Sequence, residues 1–174
     1  MLRRDRRLGF TLIEALVVMI VGTTLLAVSA AGIGKVFRNS EIAAEASNIL
    51  LMQDRVRDLR NGKENYKGLS NALAISNNVV PPNMARKGNK IFNAWNGEVV
   101  FSAVDGGTHY LIDYYKVPIE ACQRLVMRMG QSGWERIQIN SADIPAGISL
   151  ADLGKRCDAG GSNGNKVGFV GGAR

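Results

Sequence analysis

The sequence predicts an α+β protein: a long N-terminal α-helix whose outer half packs on an antiparallel β-sheet, with a disulfide-closed C-terminal region. Three observations carry that expectation. From Ala15 to Gly34 no residue is charged, a run of twenty positions, and an amphipathic pattern continues it to Arg60 with no proline before Pro81. Beyond Lys90, short apolar runs alternate with turn signals such as Asn96-Gly97 and Asp105-Gly106-Gly107. The two cysteines of the chain, Cys122 and Cys157, both lie in its back half.

The front of the chain divides into three segments. Residues 1–9 form a basic leader with four arginines and one aspartate. Residues 10–34 form a segment that, as a helix, is long enough to cross the ~30 Å hydrocarbon core of a bilayer. Residues 35–60 continue it as an amphipathic helix. Glu14 is the one carboxylate set into the membrane-ready segment, where an ionisable group costs ~2.5–3.5 kcal/mol on insertion scales and is a functional candidate. A plain signal anchor would tolerate Glu14 near the interface. A secretory signal peptide is a second reading, because Ser29-Ala30-Ala31 supplies the small residues of a cleavage site. A buried core helix is the third, and a run this uniformly apolar argues against it. Cleavage after Gly9 gives Glu14 a partner: the new amine of Phe10 would lie one helical turn away. That amine is unfavourable at the positive end of the helix dipole, and a carboxylate of the same or a neighbouring chain would neutralise it.

Further along, Ile42, Ala46, Ile49, Leu50, Val56 and Leu59 recur at helical spacing, with Glu41, Glu45, Asp54, Arg55, Arg57 and Asp58 largely on the remaining faces. About fifty residues of helix would span roughly 77 Å, far more than a bilayer needs. The outer stripe must therefore be buried on residues 61–174, the expected globular domain. Asn61 to Lys90 reads as linker-like, with a short helix at Leu69–Ile75 and an extended Val79-Val80-Pro81-Pro82. Strands are expected at Ile91–Trp95, Glu98–Val104 and His109–Tyr115. Val117-Pro118 opens a second helix with proline in the first turn; its apolar face comprises Ile119, Cys122, Leu125, Val126 and Met129, and Gly130 caps it. Trp134–Asn140 alternates as a strand, Ser149–Leu153 makes a helical turn, and Lys166–Val170 makes a last strand after a glycine-rich stretch. Trp95 and Trp134 are expected in the core, and His109 on a strand face with no special role.

The net charge of +7 falls to +4 once the leader's four arginines and one aspartate are set aside. No remaining Lys/Arg cluster is dense enough for nucleic-acid binding. The leader arginines instead hold the N-terminus in the cytoplasm, since only Lys35 and Arg38 follow the apolar run closely. The two cysteines then fall in an oxidising compartment and are expected to pair, closing a loop credited with ~3–4 kcal/mol; two buried free thiols are the alternative. There is one histidine, no Gly-x-Ser-x-Gly, no phosphate-binding loop and no metal-ligand cluster, so neither an enzyme nor a cofactor or metal site is expected. The oxygen-rich stretch Asp158–Asn165 fits no EF-hand spacing and reads as a solvated turn.

Arg6-Arg7-Leu8-Gly9 followed by Phe10-Thr11-Leu12-Ile13-Glu14 resembles the prepilin processing site shared by type IV pilins and type II secretion pseudopilins. The resemblance implies that a prepilin peptidase cuts after Gly9 and methylates Phe10, and that Glu14 guides subunit docking. It implies a pilin fold and a helical homopolymer of the chain itself. It also implies an assembly ATPase, an inner-membrane platform protein and an outer-membrane secretin as partners. The chain would sit in the inner membrane, single-pass with a cytoplasmic N-terminus, before joining an extracellular filament used for adhesion, aggregation or conjugation. Val79–Met84, Asn93–Gly97 and Val117–Leu125 are similar to the type IVb branch, which includes toxin-coregulated and thin conjugative pilus subunits. The nine-residue leader and Phe10 are type IVa in style, which leaves the subclass open. A pseudopilin or minor pilin, and a periplasmic binding domain released by signal peptidase, remain the other readings.

Overall fold

The computed structural model describes residues 11–60 and 65–172, with the backbone alone at helix positions 25–33. The chain divides into two compact units, Met1–Ser40 and Glu41–Arg174. Helix α1 (Leu12–Leu59) contributes to both. The expected helix of residues 10–60 is therefore present throughout its described length, glycines included.

In the second unit, Ile42, Ala46, Ile49, Met52 and Val56 of α1 are buried in the core. Their three- and four-residue spacing makes one stripe, the arrangement that lets a helix cover a sheet. Burial of each such side chain stabilises the fold by roughly 1.5–3 kcal/mol relative to exposure. The stripe takes in more than apolar residues. Glu45, expected to fall largely on another face, is 4% exposed, and Asn48 and Gln53 are buried beside it. Helical spacing permits this, because Glu45 and Ile49 are four apart and share a face.

The stretch read as linker holds two elements. Helix α2 (Asn71–Ser76) is capped by Ser70, whose hydroxyl oxygen accepts from the Leu73 N–H. Strand β1 (Ala85–Lys87) forms a hairpin with β2 (Lys90–Phe92) through Gly88-Asn89. All three β1 side chains are exposed, so no apolar alternation marked it. Strand β2 also stops short of the expected Trp95. Asn93 ends it, its Oδ1 accepting from the Trp95 and Gly97 N–H groups at 3.0 and 2.9 Å. Such Asx-type bonds offer the backbone an alternative to the ladder.

Strands β3 (Glu98–Val104) and β4 (His109–Val117) continue the meander as expected. Helix α3 (Ile119–Met129) follows, with Pro118 at its N-cap instead of its first turn and Gly130 at its C-cap. Ile119 belongs to the rim, 39% exposed; the buried face is Ala121, Cys122, Leu125, Val126 and Met129. Strand β5 (Arg136–Ile139) is the core of the run Trp134–Asn140, and the two-residue β6 (Ala142–Asp143) pairs with it. The helical turn expected at Ser149–Leu153 is a full helix, α4 (Leu150–Asp158), which carries Cys157. Ser149 caps it by accepting from the Asp152 N–H at 3.1 Å.

Strand β7 (Asn165–Gly172) is longer than Lys166–Val170 and lies inside the sheet, between β4 and β5. Among the described residues the strand order is β1-β2-β3-β4-β7-β5-β6, antiparallel throughout. Trp134 stacks between Tyr110 and Phe169, with ring centroids at 6.0 and 5.4 Å, and Trp95 packs partly buried against the core. The architecture is α+β, an N-terminal helix with an antiparallel sheet and a Cys122–Cys157 disulfide, as expected of a pilin fold.

Candidate assembly site

The first unit presents a helix with no polar face over its described apolar part. Leu12 is 84% exposed and Met19 75%, and every residue from Leu16 to Val21 is at least half exposed. Six consecutive positions cover the whole circumference of a helix, since each turn holds 3.6 residues. A helix apolar all round belongs in a protein core or in lipid, not in water. Its two threonines do not oppose that. Thr23 Oγ1 donates to the Met19 and Ile20 carbonyls at 2.9 and 3.0 Å, and Thr24 Oγ1 to those of Ile20 and Val21 at 3.0 and 2.9 Å. Both hydroxyls are thus satisfied within the helix, which removes the cost of taking them out of water.

Glu14 stands in the first turn of this helix. The Glu14 and Ala15 N–H groups donate to the Thr11 carbonyl at 3.0 and 3.1 Å, and the Thr11 hydroxyl lies 3.4 Å from the Glu14 carboxylate. An acidic group at this end complements the helix dipole. Gly9 and Phe10, the expected processing residues, lie outside the described residues. Among the described residues no helix is long and apolar enough to cross a membrane. The charge-free run Ala15–Gly34 is a property of the sequence, and its positions 25–33 fall where the backbone alone is described.

In the second unit, Cys122 of α3 and Cys157 of α4 are joined, with Cα atoms 5.9 Å apart. Both are fully buried, so the bond crosses the interior between the two helices and not a surface loop.

The match to known families now decides identity. Residues 39–171 match the family described as PilS N terminal, and residues 4–30 match the prokaryotic N-terminal methylation motif. The first covers well over half of the chain, and both are typical of type IV pilins. The chain belongs to the type IV pilin family. No curated protein matches it. The methylation motif spans Gly9, Phe10 and Glu14, the positions singled out by the leader and the lone carboxylate.

Three features of this pilin escaped the sequence reading. Glu45 accepts from the Ala94 N–H at 2.6 Å, the Tyr114 hydroxyl at 3.2 Å and the Asn48 amide at 3.4 Å, so it clamps the 93–97 turn to α1. Burial pushes its carboxyl above the usual glutamate range, against those three hydrogen bonds. His109, given no role, sits between two carboxylates, with Nδ1 3.1 Å from Asp105 and Nε2 2.6 Å from Glu135. It thereby ties the turn after β3 to the residue before β5. Asn93 and Asn165 are buried side chains that accept and donate across loops. Only Asn93 had a signal in the sequence, as an Asx residue shortly before Asn96-Gly97.

Proposed function

We propose that this pilin is the structural subunit of a type IV pilus, type IVb-like, serving adhesion, aggregation or conjugation. The observation that carries the reading is a helix apolar on all sides with one carboxylate in its first turn. Residues 1–9 are removed by prepilin peptidase, and Phe10 becomes the methylated N-terminus. Until then residues 10–34 hold the subunit in the inner membrane with its N-terminus in the cytoplasm. The assembly ATPase and platform protein extract subunits, the apolar helices bundle in a filament core, and the filament leaves through the secretin. Residues 35–60 join that core to the globular domain of residues 61–174. The pilin works as a building unit and not as an enzyme.

Electrostatics sets the register of assembly. Opposite charges attract far more strongly in a bundle core than in water, while desolvation takes back much of the gain. A buried charge left without its partner costs about 3–5 kcal/mol. Each incoming subunit is therefore accepted only where its Glu14 meets a Phe10 amine. Glu14→Ala is expected to leave cleavage after Gly9 intact and to cut surface filament by about tenfold or more. Immunoblots of processing and sheared-pilus yield measure the two effects separately, and wild-type filament from the variant would overturn the docking role. Mass spectrometry of the mature N-terminus tests the processing itself: methylated Phe10 supports the pilus, and a start at Gly32 would mean signal-peptidase release. Electron microscopy of a deletion strain separates a pilus subunit, whose loss removes surface fibres, from a secretion pseudopilin.

A further inference from the structure

An open cleft of about 460 Å³ lies between the 93–97 turn, the end of β4 and the Gly161–Gly164 loop, lined by Trp95, Lys116, Pro118, Ser162 and Asn163 among others. That volume lies within the range of about 300–1,000 Å³ usual for small-molecule clefts. Its floor is unusually constrained. The β4–β7 ladder breaks register between Tyr114 and Val117, and Lys116 in the break has a φ of 55°. A non-glycine residue held left-handed costs on the order of 1–3 kcal/mol and persists only where the surroundings impose it.

The surroundings here are explicit. Asn93, buried, donates to the Tyr115 carbonyl at 2.8 Å, and Asn165, fully buried, donates to the Val117 carbonyl at 3.3 Å. Both carbonyls flanking Lys116 are thus held by buried amides. Glycine is required on either side: a Cβ at Gly97 would lie 1.7 Å from the Tyr115 oxygen, and one at Gly164 2.7 Å from the Lys116 carbonyl carbon. Three separate stretches of chain meet at the backbone of one exposed lysine. Among the described residues no carboxylate pairs with its ammonium.

We infer that this cleft binds a carboxylated sugar residue, its ring against the Trp95 indole and its carboxylate on Lys116. The aromatic and proline surfaces suit the C–H face of a pyranose. The Ser162 hydroxyl and Asn163 amide supply donors and acceptors for ring hydroxyls. A cation in the lining is what distinguishes an acidic sugar from a neutral one. The inference stands apart from the filament reading, because it concerns the globular unit alone.

The test uses the full-length chain in detergent micelles, isotopically labelled, with N-acetylneuraminic acid, galactose and sodium acetate as separate probes. Saturable shifts of the Trp95 indole N–H and of the 161–164 amides are expected with the acidic sugar. Galactose and acetate should each bind about tenfold more weakly or worse, because a hydrogen bond to a charged group is lost in one case and the ring contacts in the other. Lys116→Asn tolerates the left-handed conformation and removes the charge. It should melt like the parent yet lose the acidic sugar by about tenfold, and Lys116→Gly should do the same. Equal shifts with acetate alone, unchanged affinity in both variants, or no saturable shift with the acidic sugar would each overturn the inference.

Discussion

Glu45 shows how a single residue can oppose its own ionisation and still be kept. Its oxygens satisfy the Ala94 N–H and the hydroxyl of Tyr114, a fully buried side chain that would otherwise lack a partner. Burial nevertheless raises its pKa above 4.5, so the folded chain holds the proton more tightly than the unfolded one. The folded state therefore gains stability from this group as pH falls through its folded pKa, and loses it as pH rises from 4.5 through that value. Glu45→Gln keeps an acceptor for Ala94 and removes the charge. It is expected to hold stability near neutrality and to flatten this part of the pH profile, read from urea melts near neutral pH and near 4.5. Glu45→Ala leaves the buried Tyr114 hydroxyl orphaned and should lose about 1–3 kcal/mol. A glutamine variant with an undiminished pH slope would show that other groups set it.

At the scale of elements, the disulfide ties α4 to α3. Helix α4 has nine residues, well below the ~12–15 at which isolated helices become even marginal in water. It persists because Leu153 and Cys157 are buried and because the bond to Cys122 closes a span of 35 residues. Removing it through Cys157→Ser should cost about 3–4 kcal/mol, with α4 the first element to lose hydrogen-exchange protection. Thermal melts with and without reductant check this, and identical melting of the reduced and oxidised chain would refute it. The pattern of α3 was visible in the residues because its buried positions fall at helical spacing around Cys122. The extent of α4 was not read, although Leu150, Leu153 and Cys157 keep three- and four-residue spacing, because Gly154 resembles a helix stop. Its Ser149 cap, with Asp152 three residues on, was a further signal of where it starts.

For the whole molecule, the last strand is the keystone of the sheet. Strand β7 pairs with β4 on one side and β5 on the other, so it joins the N-terminal meander to the C-terminal hairpin. Its glycines look disposable in the sequence, yet they answer to neighbours. A Cβ at Gly171 would lie 2.4 Å from the Tyr110 ring, and one at Gly168 2.8 Å from Asp113. Ending the chain after Gly164 should therefore leave no folded sheet, since β5 and β6 lose their partner and Phe169 leaves the aromatic cluster. Circular dichroism and the yield of exported protein measure this; a truncated chain with native strand content would disprove the keystone role.

Local chemistry told the residues apart wherever a short stretch could speak for itself. The charge-free run, the single carboxylate just before it, the arginines of the leader, the α3 face and the paired cysteines were all legible along the chain. So was strand β3, from Glu98 to Val104. What folding decided was adjacency between segments far apart: Glu45 under the 93–97 turn, His109 between Asp105 and Glu135, Lys116 held left-handed by two asparagines, and β7 between β4 and β5. Periodicity records which side of an element is apolar, and it carries no information about which distant polar group will come to face it. That choice is made by the packed chain, where an unpaired polar group costs too much to leave alone.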